Sequence, residues 1–454
     1  MKALKYYDIN CKIKPVLDED FIPAVLFNQE FLKEATKPFY IAIEREKCLI
    51  YRFDTKLTDS DSKNNFYIER IIKNLLWSVG GYKILISGDK KVYEYIKECY
   101  SKGGLREFDR AFMSRVYEKE FEVIYLEEKD MPEAKNNPVS IGKHLDGNRI
   151  GFDAGGSDMK VSAVKNGEVI FSKEIVWLPK LNDNPDYHYE HIKKAIDLAK
   201  EKLETVDAIG VSSAGIYIDN RAMVASLFIK IPQDLFDQKI KDIYKNIAGD
   251  IPVTVCNDGD VAALAGSMHL KKNGILGVAM GTSEAVGYVD KNGNITGWLN
   301  ELAFAPVDYN EFAMIDEWSG DFGCGCKYFS QDAVIKLAPK AGIALSENLT
   351  LAQKLKEIQK LLESGHSGAK EIFETIGVYF GYAIASYCEI YDIDYIQILG
   401  RVTSGLGGDI IIEKANEVLA TEFPNLKEKI TLYVPDEYER RVGQSIAAAS
   451  LCKL

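Results

Sequence analysis

Apolar and polar positions along this chain alternate between short buried runs and longer stretches of helical spacing. Residues 148–164 read as strand, glycine turn and strand, and 168–177 extends the same sheet. Residues 191–203 place apolar side chains at helical spacing. Buried strands follow at 206–213 and 253–256, and an alanine-rich helix at 261–270. Residues 275–280, 285–289 and 295–298 predict strands joined by glycine turns. Long helices are predicted at 351–361 and 369–391, then a strand at 395–399, a helix at 410–419 and a closing helix at 439–451. Hairpins, crossover strands and helices mixed in this order predict a layered α/β architecture with more than one sheet.

The first part of the chain echoes the second. Residues 40–53 predict a hairpin, 67–77 a helix, and 83–87 a strand followed by Gly88. That order resembles 149–164, 189–203 and 208–215, but Glu44-Arg45-Glu46 stands where Ala154-Gly155-Gly156 stands later. Two readings stay open: a degenerate, nucleotide-incompetent copy of the later lobe, and an unrelated α/β domain. Residues 127–147 carry charges, two prolines and Lys135-Asn136-Asn137-Pro138, which suits an exposed joint. A second joint is expected near Ile251-Pro252. The expected domains are 1–146, 147–255 and 256–454, with the last helix packing back on the middle domain.

Composition narrows the function classes. At 454 residues the chain has room for two to four domains of roughly 100–200 residues. A formal charge of −12 without a basic cluster speaks against nucleic-acid binding. No uncharged apolar run approaches the length of about 18 residues that a membrane span needs, and residues 1–15 lack a signal-peptide core. Eight cysteines form neither a disulfide framework nor a CxxC array, so a cytosolic protein with reduced thiols is expected.

Four segments carry candidate chemistry. In Asp153-Ala154-Gly155-Gly156-Ser157-Asp158-Met159-Lys160, the glycines let backbone N–H groups approach a phosphate, with Ser157 and Lys160 as further donors. Asp153, at the strand end, can hold hydrated Mg²⁺. The alternative is a plain glycine hairpin. Asn257-Asp258 lies between a strand and a helix. It is either a helix cap or a carboxylate poised to take a proton from a substrate hydroxyl, with the Asn fixing a neighbouring hydroxyl. Phosphoryl transfer asks for little more than such positioning plus phosphate and metal electrostatics. Gly281-Thr282-Ser283 closes a hydrophobic strand and offers donors for β- and γ-phosphates, or is a tight turn. Gly400-Arg401-Val402-Thr403-Ser404-Gly405 leads a strand into a helix and can lie against adenine or ribose.

Taken together, these segments follow the order of the actin-like sugar kinases, and from Gly147 on the chain resembles the ROK group (repressors, open reading frames and kinases), which includes bacterial glucokinases. Residues 153–160 look like its phosphate-1 hairpin. Asn257-Asp258 with Ala262-Ala263-Leu264-Ala265 looks like its Asn-Asp-x-x-x-Ala-Ala-Leu-Ala segment. Asn300-Glu301-Leu302-Ala303-Phe304 resembles its Gly-Glu-x-Gly-His segment. The resemblance implies a two-lobed, ribonuclease H-like kinase fold behind an extra N-terminal α/β domain. It further implies a cleft that closes on sugar, ATP and Mg²⁺ as cofactors, Asp258 as catalytic base, and Asn257 and Glu301 as sugar ligands. Small-molecule sugar and ATP are the expected partners, with a homodimer left open.

Departures from the family pattern matter as much. Its zinc motif has a His and three Cys; the corresponding positions here are Phe304, Glu317, Ser319 and Cys324, so no structural zinc is expected. Trp318-Ser319-Gly320 resembles the Ser-Gly turn of hexokinases, which makes Glu317 a candidate sugar ligand and Asp316 its runner-up. Glu284 beside the second phosphate turn would repel phosphates unless it points away or meets a cation. Arg401 stands where the family usually has Gly. The competing function is a non-catalytic sugar sensor or scaffold. An activator ATPase with a shared iron–sulfur cluster is disfavoured, because no suitable cysteine pair recurs.

Overall fold

The alternation read from residue 148 onward builds a five-stranded sheet in the computed structural model, which describes residues 6–136, 141–435 and 443–454. Its spatial order is Val253–Asn257, Ala208–Ser213, Asn148–Ala154, Asp158–Lys165 and Glu168–Val176. The last three strands form an antiparallel meander, whereas Ala208–Ser213 runs parallel to Asn148–Ala154. Ile150 and Phe152 face a core that includes Ile192, Ala195 and Ile196 of the helix Pro185–Lys200. Gly151 and Gly210 turn the other way. A side chain at either would run into the backbone of Ser445 or Ala448, so these glycines let the helix Gln444–Ala449 lie directly on the sheet. The predicted closing helix began at residue 439; residues 436–442 lie outside the described ones.

The chain divides into two compact units. The five-stranded sheet belongs to the one made of Pro138–Gly277, Gly287–Gly297 and Pro435–Leu454. The other comprises Met1–Asn137, Val278–Val286 and Trp298–Val434. These boundaries depart from the expected ones. Residues before 138 share a unit with Trp298–Val434, and the helix Asp258–Leu270 sits with the five-stranded sheet.

The reason for the first departure is a seam of buried charge and aromatic rings. Arg70 and Lys73 on the helix Asp61–Ser78, together with Arg106, converge on Asp321 at 2.9–3.2 Å. Glu69 pairs with Arg70 and Arg106, and Asp109 with Lys73. The three cations and three carboxylates are all buried. Trp77 packs at a tilt against Phe304 and Phe112, with centroids 4.4 and 4.9 Å apart, and its indole N–H donates to Asp109 at 2.7 Å.

The N-terminal sheet has the order Ile50–Leu57, Lys37–Glu44, Lys83–Ser87 and Glu122–Tyr125. Here the strand after the helix pairs antiparallel with the first strand, where its counterpart Ala208–Ser213 pairs parallel. The echo in element order therefore does not extend to topology. The later lobe inserts a third meander strand before its helix, and without that strand the chain returns in the opposite sense.

A further sheet, ordered Glu284–Val289, Ile275–Met280, Tyr395–Leu399 and Thr431–Tyr433, carries the remaining glycine turns. The strand predicted at 295–298 reduces to one bridge between Val289 and Ile295. The helix predicted at 410–419 extends over Leu406–Glu422.

Candidate active site

In the unit built on the five-stranded sheet, Asp153 ends the first strand, buried, opposite Lys160 on one neighbour and Ser212 on the other. Ser212 Oγ donates to Asp153 Oδ1 at 2.6 Å. Burial pushes the Asp153 carboxyl up to about 6, with nearby Asp258 adding to the rise, while Ser212 and Lys160 pull the other way. The turn that follows is closed by Gly155 N–H to the Asp158 carbonyl at 2.9 Å. Trp177 braces it, donating from its indole to the Gly155 carbonyl at 2.8 Å and from its backbone to Ser157 at 3.2 Å. Among the described residues, only the Lys180 side chain lies beside Gly156, about 3.6 Å from where a Cβ would be. The turn thus presents open backbone under a cation, an arrangement suited to phosphate.

Asp258 opens the helix Asp258–Leu270, immediately after the strand Val253–Asn257. Burial raises its carboxyl above the ordinary value; the Gly259 N–H and Lys180 pull it down. Both roles considered for Asn257 have to share one amide. Its Oδ1 accepts from Gly259 N–H at 2.7 Å, a helix cap, and its Nδ2 donates to the Gly215 carbonyl at 2.7 Å. One N–H and one lone pair remain for a ligand.

Three residues of this unit escaped the sequence reading. Gln444 Nε2 donates to Ser212 Oγ at 3.1 Å and to the Asp258 carbonyl at 3.3 Å, so a hydrogen-bonded chain runs from Asp258 through Gln444 and Ser212 to Asp153. Lys180 is the third. Ser212 was findable from its strand-end place. Gln444 and Lys180 carry no local signal, because only tertiary packing brings them to the two aspartates.

In the other unit, Gly281 N–H closes a tight turn on the Ser283 carbonyl at 3.0 Å, and Gln331 Nε2 donates to Thr282 Oγ1 at 3.3 Å. The Gly400 turn packs on the same strand end: Val402 N–H donates to the Met280 carbonyl at 3.0 Å. Gly400 has φ +96° and no room for a side chain against Met280. Ser404 is exposed, and Gly405 caps the helix Leu406–Glu422 at φ +64°. Glu284 does not face outward. It is buried, its Oε1 accepting from the Tyr387 hydroxyl at 3.3 Å while Oε2 has no hydrogen-bond partner among the described residues. Burial pushes its carboxyl up to about 8, with Glu301 adding to the rise, so it is largely neutral near pH 7.

Glu301 is half-buried at the head of the turn Leu302–Phe304. Glu317, the other candidate sugar ligand, lies at the surface. Its exposed carboxylate is ion-paired with Lys327 and, at 3.5 Å, with Lys336. The Lys327 hydrogen bond comes first among the causes that hold it down at about 2. Asp316 is buried and accepts from the Ser319 N–H and hydroxyl at 2.7 and 2.6 Å, which fixes the Ser-Gly turn instead.

The zinc motif of the resemblance does not fit these residues. Phe304 packs on Trp77, Glu317 on Lys327, and Ser319 on Asp316. Cys324 is buried, and burial pushes its thiol up to about 12 despite Lys73 nearby. Among the described residues no group of three or more His, Cys, Asp or Glu is arranged to hold a metal. Magnesium asks for less: one or two carboxylates with water and phosphate oxygens suffice, and Asp153 with its under-compensated carboxyl fits that demand. Among the described residues no helix is long and apolar enough to cross a membrane.

Comparison with solved structures places this fold. The chain is similar to the ROK hexokinase of Thermus thermophilus, with 17% identity and a TM-score of 0.53 over 66% of this chain and 96% of that one. It is similar to a ROK family glucokinase from Streptomyces griseus in complex with glucose and AMPPNP, with 20% identity and a TM-score of 0.51 over 67% and 98%. A ROK family transcriptional regulator, a homologue of the E. coli MLC protein, gives 17% identity and 0.54 over 67% and 78%. A search of curated proteins matched none to this chain. The relatives share the actin-like ATPase fold of sugar kinases. The ROK family model matches residues 149–434, well over half of the sequence, and the chain belongs to the ROK family.

Proposed function

We propose that this protein transfers the γ-phosphoryl group of ATP to a hydroxyl of a hexose or hexose-like sugar. The observation that carries the reading is the pair of under-compensated carboxylates, Asp153 and Asp258, beside an open glycine turn, with Ser212 and Gln444 tying the Asp153 carboxylate to the Asp258 backbone carbonyl. Asp258 takes the proton as the sugar oxygen attacks phosphorus; the new O–Pγ bond forms while the bond to the β-phosphate oxygen breaks and ADP leaves. A carboxyl raised toward working pH is better matched to that task than one at its ordinary value. Asp153 would hold Mg²⁺, whose charge screens the phosphates. Gly155, Gly156, Ser157, Lys160 and Lys180 would meet phosphate oxygens. Gly281, Thr282, Ser283, Gly400, Ser404 and Gly405 are assigned to the nucleotide on the second unit, and Asn257 and Glu301 to sugar hydroxyls.

The competing reading is a non-catalytic, sugar-binding role. ATP consumption against glucose, mannose, N-acetylglucosamine and N-acetylmannosamine separates the two. The kinase reading expects ADP formation that depends on at least one sugar, and a raised melting temperature with that sugar by linkage. A sugar that raises the melting temperature without any ADP formation supports the sensor. ATP hydrolysis indifferent to every sugar overturns both.

A further inference from the structure

The last turn of the helix Asp61–Ser78 leaves carbonyls without intrahelical partners, as every α-helix does. Here they are taken up in strict reverse order by the segment that ends in Glu301. Glu301 N–H donates to the Trp77 carbonyl at 2.9 Å, Asn300 N–H to Ser78 at 2.9 Å, and Leu299 N–H to Val79 at 3.2 Å. Asn300 is buried at φ +54°, a conformation Asn tolerates better than most residues. The Tyr391 hydroxyl holds it there, 3.0 Å from Asn300 Oδ1 and 3.4 Å from the Ser78 carbonyl. The helix stops at Gly80, φ +84°, where any side chain would meet Leu299 and the Tyr117 hydroxyl. On the far side of Glu301, Phe304 N–H donates back to its carbonyl at 3.1 Å, and the Phe304 ring lies on Trp77. Glu301 is therefore gripped from both sides by the end of one helix, and that helix precedes the family-matched residues 149–434.

We infer that the C-terminal end of the Asp61–Ser78 helix is a positioning element of the sugar subsite, fixing the backbone of residues 299–301 and so setting the Glu301 carboxylate, with Trp77, Gly80 and Tyr391 as the positioning residues. This rests on the proposed role of Glu301 as a sugar ligand. The N-terminal segment is, on this view, a graft that supplies the rigidity of the sugar loop. The buried charges around Asp321 hold the same helix to the stretch that follows the loop.

The test uses full-length Tyr391→Phe and Gly80→Ala proteins, Glu301→Gln as reference, and the best sugar of the panel above. Tyr391→Phe removes one hydroxyl and keeps the ring, so it remains folded even if Gly80→Ala does not. The expected result is a sugar KM raised about 3- to 10-fold, with kcat and the KM for ATP within about 2-fold. Amide exchange at residues 299–301 should accelerate by a similar factor. A merely structural role would lower the melting temperature and leave both KM values alone. If Glu301→Gln raises the sugar KM while Tyr391→Phe changes neither that KM nor the exchange, the inference fails and the sugar reading stands. If Glu301→Gln leaves the sugar KM unchanged, the sugar role of Glu301 is wrong and the inference falls with it.

Discussion

Asp153 and Asp321 are both buried carboxylates, 9% and 6% exposed, and the two compact units treat them in opposite ways. Asp321 meets Arg70, Lys73 and Arg106 within 3.2 Å. Burial would push it up, but Arg70 and Lys73 outweigh burial and hold it below its ordinary value. Asp153 meets one hydroxyl, with Lys160 a weaker influence, and rises to about 6. A structural carboxylate is thus fully compensated, and its ionised form is part of the fold. A carboxylate left short of positive charge is costly to keep but can accept a cation or a proton when one arrives. Perturbation of this kind in a group beside an open turn is a mark of function, though ion-pair networks perturb groups too. The contrast between the two sites separates those cases.

Breaking the reactive side has the largest expected effect. Asp258→Asn should lower turnover by about 10²–10⁴-fold without loss of melting temperature, read by single-turnover ADP formation and thermal melts. Near-normal turnover would reduce Asp258 to the first residue of its helix.

Breaking the structural side should show in stability instead. Asp321→Ala strands three buried cations, and removing one partner of such a cluster typically costs about 3–5 kcal/mol. Asp153→Asn should do the reverse. Its folded pKa is raised, so its contribution to stability is complete below about pH 4 and is lost as pH rises through about 6. The Asn variant therefore matches the parent at about pH 4 and exceeds it at about pH 7. Urea unfolding at both pH values checks the pair; equal losses from the two substitutions would erase the distinction drawn here.

Glu284 offers the finer test. Its carboxyl is raised to about 8 from an ordinary 4.5, so stability falls as pH climbs between those values. Glu284→Gln should melt at least about 2 °C higher than the parent at about pH 8.5 and together with it at about pH 4.5. A pH-independent difference would mean that packing, not ionisation, governs this site.

Much of the unit that holds Asp153 and Asp258 was legible because its residues follow short-range patterns. Alternating apolar residues on either side of Gly155-Gly156 announce a hairpin, and an Asn-Asp pair between a strand and a helix announces a strand-end carboxylate. The Ser-Gly pattern that makes Glu317 a candidate is local too, but its ion pair with Lys327, ten residues on, is not visible from that pattern. The domain boundaries moved for the same kind of reason. Nothing near Arg70 or Lys73 says that their counter-charge is Asp321, some 250 residues later.

The sequence by itself determined the layered α/β class, the meander and glycine turns, and the positions of Asp153, Asp258 and Glu301, since periodicity and turn chemistry act within a few residues. Only the tertiary structure decided which of those groups stay under-compensated, which are ion-paired, and that the end of an N-terminal helix holds the Glu301 loop. Electrostatic compensation and the capping of helix carbonyls depend on what lies close in space, and residues 77 and 301 become neighbours only when the chain is folded.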